Sequence, residues 1–192
     1  MITLLALAAL VQAQPAPATA APGAAPIPGV TVRTYDVRGK TIREILQSLT
    51  TAAPMDQASG RPTPASSKWS MKVATQFTRT GPKCEITGAT ATFSGEEVLP
   101  HLVPDPAIPA PVLANWNSYL AQLDARQTEQ LRFAYDHRSD IEAAVRASSC
   151  DAWRPAANAA LDRLRQQASL VRNTDPAAQP MLRDVVTATG KK

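Results

Sequence analysis

The feature that most constrains the fold is one long amphipathic stretch, which runs from Pro111 to Cys150. Its apolar residues recur at helical spacing, and they are Leu113, Trp116, Leu120, Leu123, Leu131, Ala134, Ile141 and Val145. A helix over 112–148 would be about 55 Å long at 1.5 Å per residue. Because this length exceeds the breadth of a small domain, we expect the helix to bend or to project past the rest of the fold.

Two short elements are predicted before this helix. The β-rich segment Val30–Val37 favours a strand, and Gly39 permits a turn after it. Thr41 and Glu44 then form a capping box, in which two side chains satisfy free backbone amides at a helix start. Pro54 limits the end of this first helix.

A hairpin and a second helix complete the prediction. Apolar and polar residues alternate from Trp69 to Thr78, which is typical of a strand with one buried face. A turn at Gly81 leads to an antiparallel partner strand over Cys84–Phe93, and the five prolines of Leu99–Pro111 predict a loop. Another helix starts near Asp151. We therefore predict an α+β domain: a small antiparallel sheet packed on a long helix plus a second C-terminal helix.

The start of the chain is typical of an exported protein. Residues 1–13 are uncharged and mostly apolar, and small residues before a cut after Ala13 fit signal-peptidase cleavage, although a basic n-region is missing. This run is too short to span a membrane, which takes about 20 residues. Residues 14–29 are rich in Pro and Ala without charge, which predicts a disordered tether. We expect residues 30–192 to form one domain, in the periplasm or outside the cell.

Charge excludes one class of partner, and the cysteines indicate a crosslink. The net charge of +4 is spread along the chain, whereas a nucleic-acid interface needs a concentrated basic patch. The two cysteines of an exported chain, Cys84 and Cys150, most simply form one disulfide. A redox pair or two metal thiolates are the alternatives, and no Cys-x-x-Cys motif supports them. Closing so long a loop stabilises a fold by about 4 kcal/mol.

Residues with catalytic chemistry are few. The chain has two histidines, His101 and His137, which are not paired at metal-binding spacing, and a zinc site needs at least three protein ligands. His101 lies in a proline-rich stretch with no acidic or sulfur neighbour along the sequence close by. There is no Gly-x-Ser-x-Gly elbow and no Gly-rich phosphate loop. A lone Glu129 on the long helix is more typical of a solvated helix face than of a catalytic carboxylate.

An ordered series of short motifs resembles a bacterial family of predicted secreted zinc-dependent proteases, domain-of-unknown-function family 922. The resemblance extends over roughly Tyr35–Gly190. Its landmarks, in order, are Tyr35-x-Val37-x-Gly39-x-Thr41-x-x-Glu44-Ile45, Trp69, Cys84, Leu99-Pro100, Trp116 and Cys150. The family's long helix bears His-Glu-x-x-His, in which two imidazoles bind zinc and the Glu activates water.

The resemblance implies that this chain has lost the metal site. Aligned on the long helix, the three motif positions hold Arg126, Gln127 and Gln130, and Thr189 stands where a third histidine is expected. Glu129 cannot replace the base, because two residues along a helix correspond to a rotation of about 200°. Arg126 would also place a permanent cation at the zinc position. We therefore expect no catalytic residues, no metal and no cofactor.

Three functional hypotheses follow from these observations. The leading one is an exported, noncatalytic relative of secreted zinc peptidases, which keeps a cleft that binds an envelope protein or a peptide. The alternative is an active hydrolase with a rearranged site made of Glu129, Asp136 and His137. A third is a purely structural protein whose former cleft is filled by side chains. The first predicts that Arg126 and Gln130 face the sheet or the C-terminal segment, close to Thr189.

Overall fold

The computed structural model describes residues 26–56, 60–173 and 180–182. The expected signal peptide, most of the expected tether and Thr189 lie outside these residues. The elements are β1 (Val30–Val37), α1 (Ile42–Ala52), β2 (Ser66–Thr80), β3 (Lys83–Leu102), α2 (Ala110–Asp136), α3 (Arg138–Arg146) and α4 (Trp153–Asn173). None of the helices in this part of the chain is both long and apolar enough to cross a membrane.

The three strands form a mixed sheet in the order β1-β3-β2. The predicted hairpin is confirmed, since β2 pairs antiparallel with β3 around the turn at Gly81. β1 instead pairs parallel with residues 95–102 of β3. The α+β class is confirmed, but the sheet is not wholly antiparallel. The prolines of Leu99–Pro111 predicted a loop there. Residues 99–102 instead extend β3, because they pair with β1.

The capping box at the start of α1 is confirmed with a small difference. The backbone amide of Glu44 donates to Thr41 Oγ1 at 3.3 Å. The Glu44 carboxylate accepts from the amide of Lys40 at 2.7 Å, one residue before the cap. The first bond satisfies an amide of the first helical turn, and the second satisfies the amide just before the cap. α1 is thereby fixed with Ile45 and Leu49 in the core.

The long amphipathic stretch forms two helices rather than one. α2 ends at Asp136 and α3 begins at Arg138, with His137 outside helical geometry at φ −89° and ψ 10°. The expected bend is therefore a break at one residue. After it, α3 turns onto β3 and buries Ile141 and Val145 completely.

A disulfide and a packing contact hold segments together outside the helices and strands. The predicted disulfide Cys84–Cys150 is present, with 6.1 Å between the Cα atoms, and it joins the start of β3 to the connection between α3 and α4. At the N-terminal side, Ile27 is buried against Phe93 and Leu131. Packing therefore begins before Val30, the residue near which the sequence predicts that the fold starts.

Candidate functional site

An open cleft of about 800 Å³ lies where α2 crosses the beginning of β2. Its walls are formed by residues 33–35 of β1, by the end of α1 and the residues after it up to 56, by residues 63–68 at the start of β2, and by Pro180. Tyr35 holds one of these walls, because its hydroxyl donates to the carbonyl of Pro64 at 2.8 Å. Burial, and then the nearby Tyr119 hydroxyl, raise the pKa of Tyr35 far above its usual value, so this hydroxyl stays a donor. The volume of the cleft lies in the range of small-ligand sites, about 300–1,000 Å³.

All three helix positions singled out by the resemblance, Arg126, Gln127 and Gln130, line this cleft. Gln127 is 8% exposed, and its Oε1 lies 2.9 Å from the hydroxyl of Ser67 on β2. Gln130 Oε1 lies 3.2 Å from the same hydroxyl. Since one hydroxyl has a single hydrogen to donate, the two amides share it. Ser67 thus fixes both glutamines between α2 and the sheet.

The cleft contains charged side chains of both signs. Glu96 lies between Arg33 and Lys68, at 3.8 Å and 4.0 Å respectively. Asp56 and Arg126 are the other two charged residues that line the cleft. With three cations and two carboxylates among the described residues, the cleft has a net positive charge.

A buried carboxyl lies next to this cleft, beneath α2. Glu97 pairs with Ser67 across the sheet and is 3% exposed. Burial, and then the neighbouring Asp124 carboxylate with its hydrogen bond, raise the pKa of Glu97 to about 8. Glu97 is therefore protonated at neutral pH. Its Oε1 is the one buried side-chain oxygen or nitrogen without a hydrogen-bond partner in the described part of the chain.

Sequence reasoning missed Glu97, although a signal was available. Alternate residues of β3 from Ala91 to Leu99 face the helices, and this pattern includes Phe93, Gly95 and Glu97. The period of two thus places an acidic residue on an apolar face. The adjacent Glu96 hides this signal, because Glu96-Glu97 resembles a solvated pair.

The residues at the motif positions do not fit the zinc ion that the resemblance implies. A guanidinium repels a cation, and amides are poor zinc ligands compared with imidazole and thiolate. Among residues 26–56, 60–173 and 180–182, no three His, Cys, Asp or Glu side chains come together in a way that could hold a metal ion. The expected proximity of Thr189 concerns a residue outside those described.

The residues of the alternative hydrolase site lie elsewhere. Glu129 and Asp136 are exposed, and His137 packs its ring 4.2 Å from that of Phe133, with Nδ1 2.8 Å from the Phe133 carbonyl. None of the three is among the described residues that line the cleft. The geometry therefore gives no catalytic arrangement to this trio.

His101 has an acidic partner that its sequence neighbourhood does not reveal. Its Nδ1 lies 3.2 Å from Asp36 Oδ1 on the exposed surface. The two residues face each other because β1 runs parallel to β3. The two side chains are 50% and 60% exposed, and the pair is a surface contact outside the cleft.

Comparison with known proteins gives one family. The model of the family described as a bacterial protein of unknown function, DUF922, matches residues 32–172, from β1 to the last turn of α4. Neither a curated protein nor a solved structure matches the chain significantly.

Proposed function

This chain belongs to the DUF922 family of bacterial proteins, and we propose that it is an exported, noncatalytic member whose cleft binds a peptide segment of an envelope protein. The observation that carries the proposal is the pair Gln127 and Gln130, held by Ser67 inside the cleft. Primary amides do not accept a proton at neutral pH, so they cannot activate water as a glutamate does. They can both donate to and accept from peptide groups.

The cleft has the composition expected of a peptide-binding surface. Its lining combines the hydroxyl groups of Thr34, Ser66 and Ser67 with the apolar side chains of Pro54 and Met55. Apolar walls with a few convergent polar groups are typical of sites that bury a ligand and fix its orientation. A cleft filled by its own side chains would have no such volume, and this disfavours the purely structural alternative.

Export is supported by the disulfide. A Cys84–Cys150 bridge persists in the periplasm or outside the cell, whereas cytosolic thiols are kept reduced. An envelope protein is therefore the kind of partner that the cleft would meet.

The binding proposal is tested by NMR on the ¹⁵N-labelled, disulfide-bonded protein. Titration with a randomised pentapeptide mixture should shift the side-chain NH₂ signals of Gln127 and Gln130. Gln122 is the internal control, because it lies exposed on the same helix and bonds to Ser118. Unchanged Gln127 and Gln130 signals at millimolar peptide would overturn the proposal, and so would cleavage of the peptides by the purified protein.

The relation to zinc peptidases is tested by restoring the motif. We expect the natural protein to hold no stoichiometric zinc after dialysis against a weak chelator. The variant R126H/Q127E/Q130H/T189H should hold about one zinc per chain, as three histidines and a water suffice. A matched control, A125H/E129H/T189H, keeps the i, i+4 spacing but places it on exposed positions, and it should hold none. One tightly held zinc in the natural protein, or equal zinc in both variants, would contradict the alignment.

A further inference from the structure

We propose that the ligand of this cleft carries a carboxylate, which is bound by the side chains of Arg126, Gln127 and Gln130. This inference rests on the proposed peptide-binding function and names the chemical group that the cleft selects. Its first support is the orientation of the two glutamines. Both use the amide oxygen to contact Ser67, at 2.9 Å and 3.2 Å.

This orientation leaves the NH₂ groups of Gln127 and Gln130 as hydrogen-bond donors for a ligand. An amide whose oxygen is engaged can still offer its NH₂ group. Gln127 and Gln130 are fixed on one side by Ser67, and both line the cleft. A ligand at this point therefore meets N–H donors more readily than acceptors. Acceptor-rich ligands, of which a carboxylate is the strongest among peptide groups, are favoured by such an arrangement.

Charge supports the same ligand chemistry. In the described part of the chain, the cleft is lined by three cations, Arg33, Lys68 and Arg126, and by two carboxylates, Asp56 and Glu96. Glu96 lies between Arg33 and Lys68 at distances near the outer limit for ion pairs. A cationic ligand would meet a net positive cleft. An anionic ligand would gain hydrogen bonds to charged donors, which are about twice as strong as those between neutral groups.

Two sources of a peptide carboxylate fit this chemistry: a C-terminal carboxylate and an Asp or Glu side chain. Three probes separate them: acetyl-pentaalanine as the free acid, acetyl-pentaalanine amide, and acetyl-Ala-Ala-Glu-Ala-Ala amide. Isothermal titration of the disulfide-bonded chain should show at least one acidic peptide binding about tenfold more tightly than the neutral amide, a difference of 1.4 kcal/mol. The tighter acidic peptide identifies the source.

Two substitutions assign the preference to the cleft. R126Q and Q130A should each reduce the acid-to-amide affinity ratio to about threefold or less, as one charge-assisted contact is removed. Their matched controls are R163Q on α4 and Q122A on α2, both exposed and outside the cleft, and these should keep the ratio.

Each remaining outcome counts against a stated part of the inference. If all three peptides bind equally, or the neutral one binds best, the carboxylate proposal fails while peptide binding stands. A ratio that R126Q and Q130A leave unchanged also refutes it. If no peptide binds, the proposed function fails together with the inference.

Discussion

The two ends of the sheet differ in the residues that pack against them. At the hairpin end, α3 packs on the sheet and α4 packs on α3 through an apolar cluster that includes Ile141, Val145 and Leu164, and the disulfide closes it. At the cleft end, the apolar residues that join α2 to the sheet enclose a polar layer, which consists of Ser67, Glu97, Gln127 and Gln130. Glu97 and Gln127, the two buried polar residues of the described chain, both lie there.

Under the proposed function, this difference separates the part of the sheet that stabilises the fold from the part that binds a ligand. At the hairpin end, the buried residues are apolar, and their removal from water stabilises the fold. The cleft end differs, because a buried group without a partner such as Glu97 Oε1 costs about 1–3 kcal/mol. Sequences that violate folding rules locally tend to do so at functional sites. We infer that the cleft end is selected for what it binds.

The largest expected effect comes from breaking the crosslink of the hairpin end. The double variant C84S/C150S should lower the free energy of unfolding by about 2–5 kcal/mol, because the unfolded chain regains the freedom that a long loop closure removes. Urea denaturation of both proteins measures it. Peptide titration of the folded variant should give unchanged affinity. A loss of binding in the folded variant would show that the two ends are not independent.

The next prediction concerns the cleft end and the pH dependence of the free energy of unfolding. Burial raises the pKa of Glu97 from its ordinary value of 4.5 to about 8 in the folded protein. The folded state therefore binds more protons between these values, so its free energy of unfolding falls as pH rises from about 4.5 to about 8, by about 4 kcal/mol. E97Q should remove this fall, because an amide does not titrate and can donate to the Asp124 carboxylate.

The control for this pH dependence is E85Q, an exposed position on the same strand. It should keep the full pH dependence in urea denaturation at pH 5, 7 and 9. A natural protein whose stability does not fall over this range would refute the raised pKa of Glu97. It would also remove the contrast between the two ends.

Local rules predicted much of the fold, and long-range pairing set the rest. The capping box at Thr41, the hairpin turn at Gly81 and the disulfide follow from short patterns or from counting cysteines. The parallel pairing of β1 depends on contacts across more than sixty residues, which no local pattern encodes. The break at His137 likewise has no glycine or proline to announce it.

The candidate site was predictable to a similar degree. The resemblance singled out Arg126, Gln127 and Gln130, and these three residues lie together in one cleft. Their contact with Ser67 was not predictable, since it depends on how α2 crosses β2. Glu97 could have been found from strand periodicity, but its burial depends on the helix above it.

The substitution Q127L should have the smallest effect on stability, and it tests the contrast between the two ends of the sheet most directly. Leucine has a volume similar to glutamine and suits a position that is 8% exposed. Ser67 keeps Gln130 Oε1 as an acceptor, so the substitution leaves no new polar group without a partner. Replacing a buried polar contact in this way is nearly neutral, and we expect the free energy of unfolding to change by less than about 1 kcal/mol.

Peptide affinity of the Q127L protein should fall, because one of the two amide donors is lost. Q122L, on the exposed side of the same helix, should leave affinity unchanged. A Q127L protein destabilised by more than about 2 kcal/mol with intact binding would make Gln127 a structural residue. The polar layer would then belong to the fold, and the two ends of the sheet would differ only in composition.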